Sequence, residues 1–282
     1  MSLPLVNFAP LNRQLPQVGF GCARLVGRSS LRQSAKVVET ALSLGIRYFD
    51  VAPGYGMGTA EEVLGQVVGN SKDVVIATKV GVPRPPYSAT KNFVRGVAKP
   101  ILDRARAAKT LARRFYAPKG PPSGGAQPRY DFSEATIRAG IEESLRLLRR
   151  DRIDVYLAHE PHADDLSSEL AARFASLQQA GQIVAYGAGV DARTDRWSLF
   201  GSVWQSGWPG GVVRTYTGDI QYVFHGTIRY APKDRAGATV TRVGQLVREA
   251  MRLAPGSIIL VSTSTPRRLS ELIEGIVNPP RV

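Results

Sequence analysis

The feature that most constrains this chain is a repeated alternation. A short run of β-branched, aromatic or glycine residues is followed by a stretch whose apolar positions recur at helical spacing. Residues 18–22 read as a first strand, and residues 30–44 as a helix with Val37, Val38, Ala41, Leu42 and Leu44 along one face and Gly45 at its end. Residues 46–51 read as a second strand, a helix follows over about 60–68, and residues 74–79 read as a third strand. The rhythm resumes at Ser133, which caps a helix through Leu148 with Glu134 in its first turn and Arg146, Arg149 and Arg150 toward its end. Residues 153–158 form strand four, 165–180 a helix ended by Gly181, and 183–189 strand five. Such alternation predicts a parallel sheet covered by helices. Ahead of it, residues 5–17 suit a small hairpin or an extended lead-in. Behind it, 219–224 reads as strand six, 243–254 as a helix, 258–261 as the last strand and 266–276 as the last helix.

The 282 residues are expected to form one domain, 1–282, and a 43% hydrophobic content suffices for a core. No apolar run approaches the length of a membrane span. The start, Met1, Ser2, Leu3, Pro4, lacks a charged region followed by an apolar one, so no signal peptide is expected. The single cysteine, Cys22, excludes an internal disulfide and fits a reducing compartment. A cytoplasmic location is the corresponding expectation.

Between the third strand and its helix the alternation breaks. Residues 81–130 open with Pro83, Pro85, Pro86 and Pro100 and close with Pro118, Pro121, Pro122, Gly124 and Gly125, around a helical pattern at about 101–116. From Arg84 to Arg129 there are eleven Lys or Arg and one acid, which gives +10 of the chain's net +14. The basicity belongs to this insertion rather than to the scaffold. A loop of this length is uncommon unless functional or disordered. It is expected to act as a flap over the sheet's ligand-binding end, its charge favouring an anionic substrate or cofactor phosphates. Nucleic-acid binding through the same charge is the weaker reading, since the segment holds few aromatic residues and no recognised fold.

Chemistry-bearing residues stand at three consecutive strand ends. Asp50 ends strand two, and Tyr55 follows in a loop broken by Pro53, Gly54 and Gly56. Lys79 ends strand three and His159 ends strand four. Singly, each has an ordinary explanation: a turn carboxylate, a packing phenol, a solvent-seeking lysine, a satisfied core histidine. Ligands of parallel α/β folds bind at such ends, and three in succession argue for one site. His162 and His225 lack this context and are expected to be structural, and no cluster has metal-ligand spacing.

Together these stretches resemble the aldo-keto reductases, over most of residues 15–80 and 131–190 and again over 255–277. The resemblance implies a (β/α)8 TIM barrel, here with a long basic insertion after strand three and a shortened strand 6–7 region in which Ile228, Arg229 and Tyr230 would form strand seven without its helix. It implies hydride transfer between NADP(H) and a small aldehyde, ketone or sugar carbonyl. Asp50, Tyr55, Lys79 and His159 would be catalytic: Tyr55 as the acid, Lys79 lowering its pKa, Asp50 holding Lys79, and His159 orienting the carbonyl oxygen. Gly21, Cys22, Asp50, Gln221, Ser262, Thr263, Ser264 and Arg268 would bind the cofactor, Arg268 at the phosphate on the adenosine ribose; Glu271 also matches. The chain departs from the family pattern at three places. Gly189 and Val190 stand where a Ser-Asn pair grips the nicotinamide, Ser262 replaces a lysine and Leu272 an asparagine. The stacking aromatic of strand seven has no clear counterpart beyond Phe224 or Tyr230. The loop at Gly54, Tyr55, Gly56 and the run from Arg129 to Ser133 resemble the branch that oxidises aldoses, including fucose and galactose dehydrogenases. The alternative reading is a non-enzymatic relative that keeps the four residues and senses a nucleotide or binds a partner.

Overall fold

A computed structural model describes residues 2–25, 30–85, 128–191, 200–210, 220–227 and 240–278. The chain divides into two compact units, Met1–Pro85 with Tyr130–Val282, and Pro86–Arg129. The second unit and the flap expected of it lie almost wholly outside the described residues, as do the helix expected at 101–116 and the strand expected at 228–230.

The first unit is a closed barrel of eight parallel strands. They are β3 (Val18–Gly21), β4 (Tyr48–Asp50), β5 (Val75–Val80), β6 (Ile153–His159), β7 (Ile183–Gly189), β8 (Val203–Gly207), β9 (Gln221–His225) and β10 (Ile258–Val261), with β10 pairing back onto β3. The hairpin preceding them, β1 (Leu5–Phe8) and β2 (Arg13–Pro16), is antiparallel. The described helices are α1 (Leu31–Ser43), α2 (Ala60–Val68), α3 (Glu134–Leu148), α4 (Ser168–Gln179), α5 (Val240–Leu253) and α6 (Pro266–Val277). Serines begin three of them. Ser30, Ser133 and Ser167 each accept a hydrogen bond from the backbone N–H three residues on, contributing about 1 kcal/mol apiece. Ser167, not Asp165, starts α4, because the Asp165 carboxylate is already engaged by the His162 N–H in the preceding turn.

Side chains alternate across each strand. Val75, Ala77, Val155, Leu157, Ala185, Val203, Val223, Ile258 and Leu260 fill the barrel interior. Phe20, Phe49, Ile76, Tyr156, Ala188, Trp204, Phe224 and Ile259 face the helices. Val6, Phe8 and Leu15 of the hairpin pack into the interior cluster, with Phe8 5.6 Å from the Tyr48 ring, so β1 and β2 close one end of the barrel.

The later strands differ from their expected positions. The strand expected at 219–224 as strand six is Gln221–His225, the barrel's seventh strand, and the sixth is Val203–Gly207. That strand holds only two large apolar residues and lies in a glycine-rich stretch, so its own pattern hides it. Its neighbours specify it: a Cβ on Gly187 would come within 1.7 Å of the Val203 carbonyl oxygen, so β7 and β8 approach more closely than any side chain at 187 would permit.

Candidate active site

The inward-facing residues at the C-terminal rim of the strands line a cavity of about 400 Å³. Strand period and register bring the predicted residues to it. Asp50 lies two residues beyond Tyr48, Lys79 two beyond Ala77, and His159 two beyond Leu157, all on the inward parity. Asp50 registers with Ala77, and Lys79 with Leu157, so their strand ends are staggered neighbours.

Tyr55 arrives from the loop after β4. Its segment, Tyr55–Gly58, is a short 3-10 turn in which Gly56, Met57 and Gly58 all have left-handed backbones, with φ of 60°, 61° and 89°. For Met57 that conformation costs roughly 1–2 kcal/mol, so the surroundings must hold it. Thr59 Oγ1 donates to the Gly56 carbonyl at 2.8 Å, and Arg84 Nη1 donates to the Gly58 carbonyl at 2.7 Å. Arg84 also pairs with Glu61, a fully buried carboxylate that accepts from Thr78 Oγ1 at 2.6 Å. Thr78 is the residue before Lys79. One network therefore ties the tyrosine loop, the start of α2 and the lysine strand together.

At the centre, Lys79 is 1% exposed and its ammonium donates to Asp50 Oδ1 at 2.5 Å, to the Val51 carbonyl at 3.0 Å and to Tyr55 Oη at 3.4 Å. Burial disfavours its charge, but Asp50 and Tyr55 outweigh that and raise its pKa above the ordinary lysine value. The expected depression of the Tyr55 pKa is not found. Burial dominates, and although Lys79 opposes it the phenol is pushed up to about 12, so it stays protonated throughout the neutral range. The His159 ring meets the Tyr55 ring edge-on at 6.1 Å. Burial, with Lys79 and His225 nearby, holds His159 well below the usual histidine pKa, so it is a neutral imidazole with one proton to donate.

The predicted cofactor residues separate into groups. Gly21, Asp50 and Ser262 line the cavity, and Ser262 Oγ donates to the Gly21 carbonyl at 2.8 Å. Thr263, Ser264 and Arg268 lie beyond β10 and at the start of α6; Arg268 is exposed. Arg267, not Arg268, pairs with Glu271. Cys22 does not face the cavity. It shares parity with Phe20 and is buried between barrel and helices. Gln221 is also misplaced. It stands at the opposite, N-terminal end of β9, where its amide donates to the Gly256 carbonyl at 2.7 Å. Phe224 faces the helices, where Trp208 and Tyr222 pack on it.

Of the lining residues that were not expected, three bear most on the chemistry. Gln205, inward on β8 two residues after Val203, is 3% exposed and its Oε1 is buried with no hydrogen-bond partner among the described residues. The signal for it was the parity of a strand that the pattern did not reveal. His225 is not simply structural: it closes β9 on the inward parity, lines the cavity, and its Nε2 lies 3.0 Å from the Val190 carbonyl. Glu160 has a left-handed backbone, φ 55°, and accepts from the Asp191 N–H at 2.6 Å. Burial pushes its carboxyl up to about 7. Gly189 leaves room beside these groups, since a Cβ there would meet only ordinary contacts with Leu157, Lys79 and Gln205.

The fold has known counterparts. The chain is 31% identical over 183 residues to a D-threo-aldose 1-dehydrogenase of a Pseudomonas species, covering 62% of this chain and 50% of that protein. It is 27% identical over 196 residues to a pyridoxal 4-dehydrogenase of Microbacterium luteolum, covering 62% and 52%. The chain thus spans about half the length of these curated relatives. An aldo-keto reductase from Klebsiella pneumoniae, solved in complex with NADPH, shares the fold with a TM-score of 0.65 at 17% identity, over 98% of this chain and 90% of that one. Residues 17–191, which carry the lysine, its two side-chain oxygen partners and the histidine, match the model of the aldo/keto reductase family, and the chain belongs to that family.

Proposed function

We propose that the chain is an NADP(H)-dependent oxidoreductase that interconverts the carbonyl and alcohol forms of a small aldehyde, ketone or sugar. The observation that carries this is the convergence of the buried Lys79 ammonium on Asp50 Oδ1 and Tyr55 Oη at one cavity wall. The relatives' names, an aldose dehydrogenase and a reductase holding NADPH, point the same way.

Two buried atoms support a dinucleotide at this rim. Gln205 Oε1 has no partner among the described residues and suits the carboxamide amide of a nicotinamide. Thr265 Oγ1 is likewise buried and unpartnered among the described residues, and Thr265 begins α6 without a side-chain cap bond, which leaves that helix start suited to a phosphate. Ser262, Thr263, Ser264 and Arg268 surround the same turn. NADPH, when bound, supplies the hydride.

The chain's residues handle the proton. In reduction, Tyr55 gives its phenolic proton to the carbonyl oxygen. Lys79, 3.4 Å from Oη, stabilises the phenolate left behind, and Asp50 keeps Lys79 charged and fixed. Neutral His159 donates to the same carbonyl oxygen and orients it. With the phenol at about 12, the acid form is abundant at neutral pH. Oxidation needs the deprotonated form, so its rate rises toward alkaline pH.

Replacing Tyr55 by Phe tests the assignment. Turnover is expected to fall roughly 10²–10⁴-fold with NADPH affinity and melting temperature nearly unchanged. Turnover within severalfold of wild type would remove Tyr55 from the proton-transfer role.

A further inference from the structure

A second cavity lies at the other end of the barrel. Its volume is about 370 Å³, and it is formed by the αβ loops before β5 and β6 together with Arg13 of the hairpin. Four cations line it, Arg13, Lys72, Arg150 and Arg152, against two acids, Asp151 and Asp154.

Both acids are already engaged. Asp151 accepts from Asn70 Nδ2 at 2.6 Å. Asp154 Oδ2 accepts from the Ile76 N–H at 2.8 Å and lies 3.4 Å from Arg150 Nη1. Arg150 is 9% exposed; its Nη2 donates to the Val74 carbonyl at 2.8 Å, but its Nε is buried with no acceptor among the described residues. Arg13 spends one donor on the Lys72 carbonyl at 2.9 Å. Lys72 and Arg152 are exposed and have no ion-pair partner among the described residues.

Three guanidiniums and an ammonium therefore surround carboxylates that cannot neutralise them all. Burial, with Arg13 and Arg152 adding repulsion, lowers the Arg150 pKa even though Asp154 opposes the change. Two like charges raise the energy of the buried one, and an anion placed among them relieves all three.

We infer that this cavity is a binding site for a small, multiply charged oxyanion, a phosphate or diphosphate, gripped by Arg13, Lys72 and Arg152 over the buried Arg150. Guanidiniums suit this chemistry because their forked donors match phosphoryl oxygens, while Lys72 acts as a point charge. The site is separate from the proposed active site. The strands of six or seven residues between the two rims span roughly 20 Å, and no residue lines both cavities.

The test is a titration of the whole protein with inorganic pyrophosphate against sodium chloride of equal ionic strength, following melting temperature and heat of binding. At a hundredfold excess over Kd, pyrophosphate is expected to raise Tm by about 5 °C beyond the salt control. Lys72→Gln with Arg152→Gln should weaken binding at least about tenfold, while Arg268→Ala, at the other rim, leaves it intact. Should the pair fold poorly, Arg152→Gln alone carries the same test with a smaller loss. The inference is overturned if wild type responds no more to pyrophosphate than to salt. A shift that survives the paired substitution, or that Arg268→Ala removes, also overturns it by placing the anion elsewhere.

Discussion

The first five barrel strands and the last three do different work. β3 to β7 lie within the family match and carry the residues proposed for proton transfer, on side chains locked to one another: Lys79 makes three hydrogen bonds, and Glu61, Thr78 and Arg84 brace its strand and the tyrosine loop. β8 to β10 lie outside that match and face the cavity with Gln205, whose Oε1 has no partner among the described residues, and with His225, which was not expected there. The difference teaches that proton transfer and cofactor grip place unequal demands on sequence. Transferring a proton needs a fixed constellation, because a displacement of about 1 Å can cost ~10²-fold. A flat ring and its amide can be gripped from several directions.

The comparison breaks first at Lys79. Lys79→Met is expected to lower kcat by roughly 10³-fold, with NADPH affinity changed far less; steady-state rates beside fluorescence titration separate the two. A kcat near wild type would mean the first half is not the chemical half.

Arg84→Ala comes next. It leaves the Glu61 carboxylate buried with, among the described residues, only Thr78 as a partner, and a destabilisation of about 2–4 kcal/mol is expected, less than for a fully buried pair because Arg84 is 20% exposed. Because Arg84 also holds the Gly58 carbonyl, kcat should fall while KM changes little. Urea unfolding with kinetics on the folded variant checks both. Unchanged stability would show that the brace is dispensable.

Gln205→Leu probes the second half. The Oε1 atom is already unpartnered, so the fold should tolerate the change, and NADPH should bind about tenfold more weakly, the equivalent of one lost hydrogen bond. Unaltered affinity would leave the carboxamide to other groups.

The last effect, confined to the pH dependence of stability, concerns Glu160. Its carboxyl is raised to about 7 in the folded protein by burial, with Asp191 adding repulsion, while the Asp191 N–H and Lys79 oppose the shift; His225 lines the same wall. A group whose pKa rises on folding favours the folded state below its unfolded value, and that advantage is lost as pH rises through the folded value. Wild type should therefore lose stability between about pH 4.5 and 7 by an amount on the order of 1–3 kcal/mol that Glu160→Gln does not lose. Paired denaturation curves at the two pH values test this; parallel pH profiles would refute it.

The same division governs what could be read in the sequence. In β5, Val75, Ala77 and Lys79 alternate with Ile76, Thr78 and Val80, so period two identifies both the strand and its inward face. Cys22 shows the cost of ignoring parity: it follows Gly21 in sequence and therefore faces the other way. Gln221 shows a different limit. Its strand is legible and its face is consistent, but which end of the barrel it occupies depends on where the strand begins, and β9 begins at Gln221 itself. β8 exists because β7 and β9 pair with it and because Gly187 admits its backbone, and those contacts between distant residues leave no local trace. The elevated Tyr55 pKa was equally out of reach, since the number of nearby cations is legible but the depth of burial is not.

The hairpin of β1 and β2 has a consequence for traffic. With Val6, Phe8 and Leu15 stoppering the base, the proposed catalytic cavity is closed from below among the described residues. On the proposed function, cofactor and substrate would both enter from the rim and would have to queue. The one seated deeper enters first and departs last, and product-inhibition patterns would reveal that order as competition between the oxidised and reduced forms of the first arrival alone.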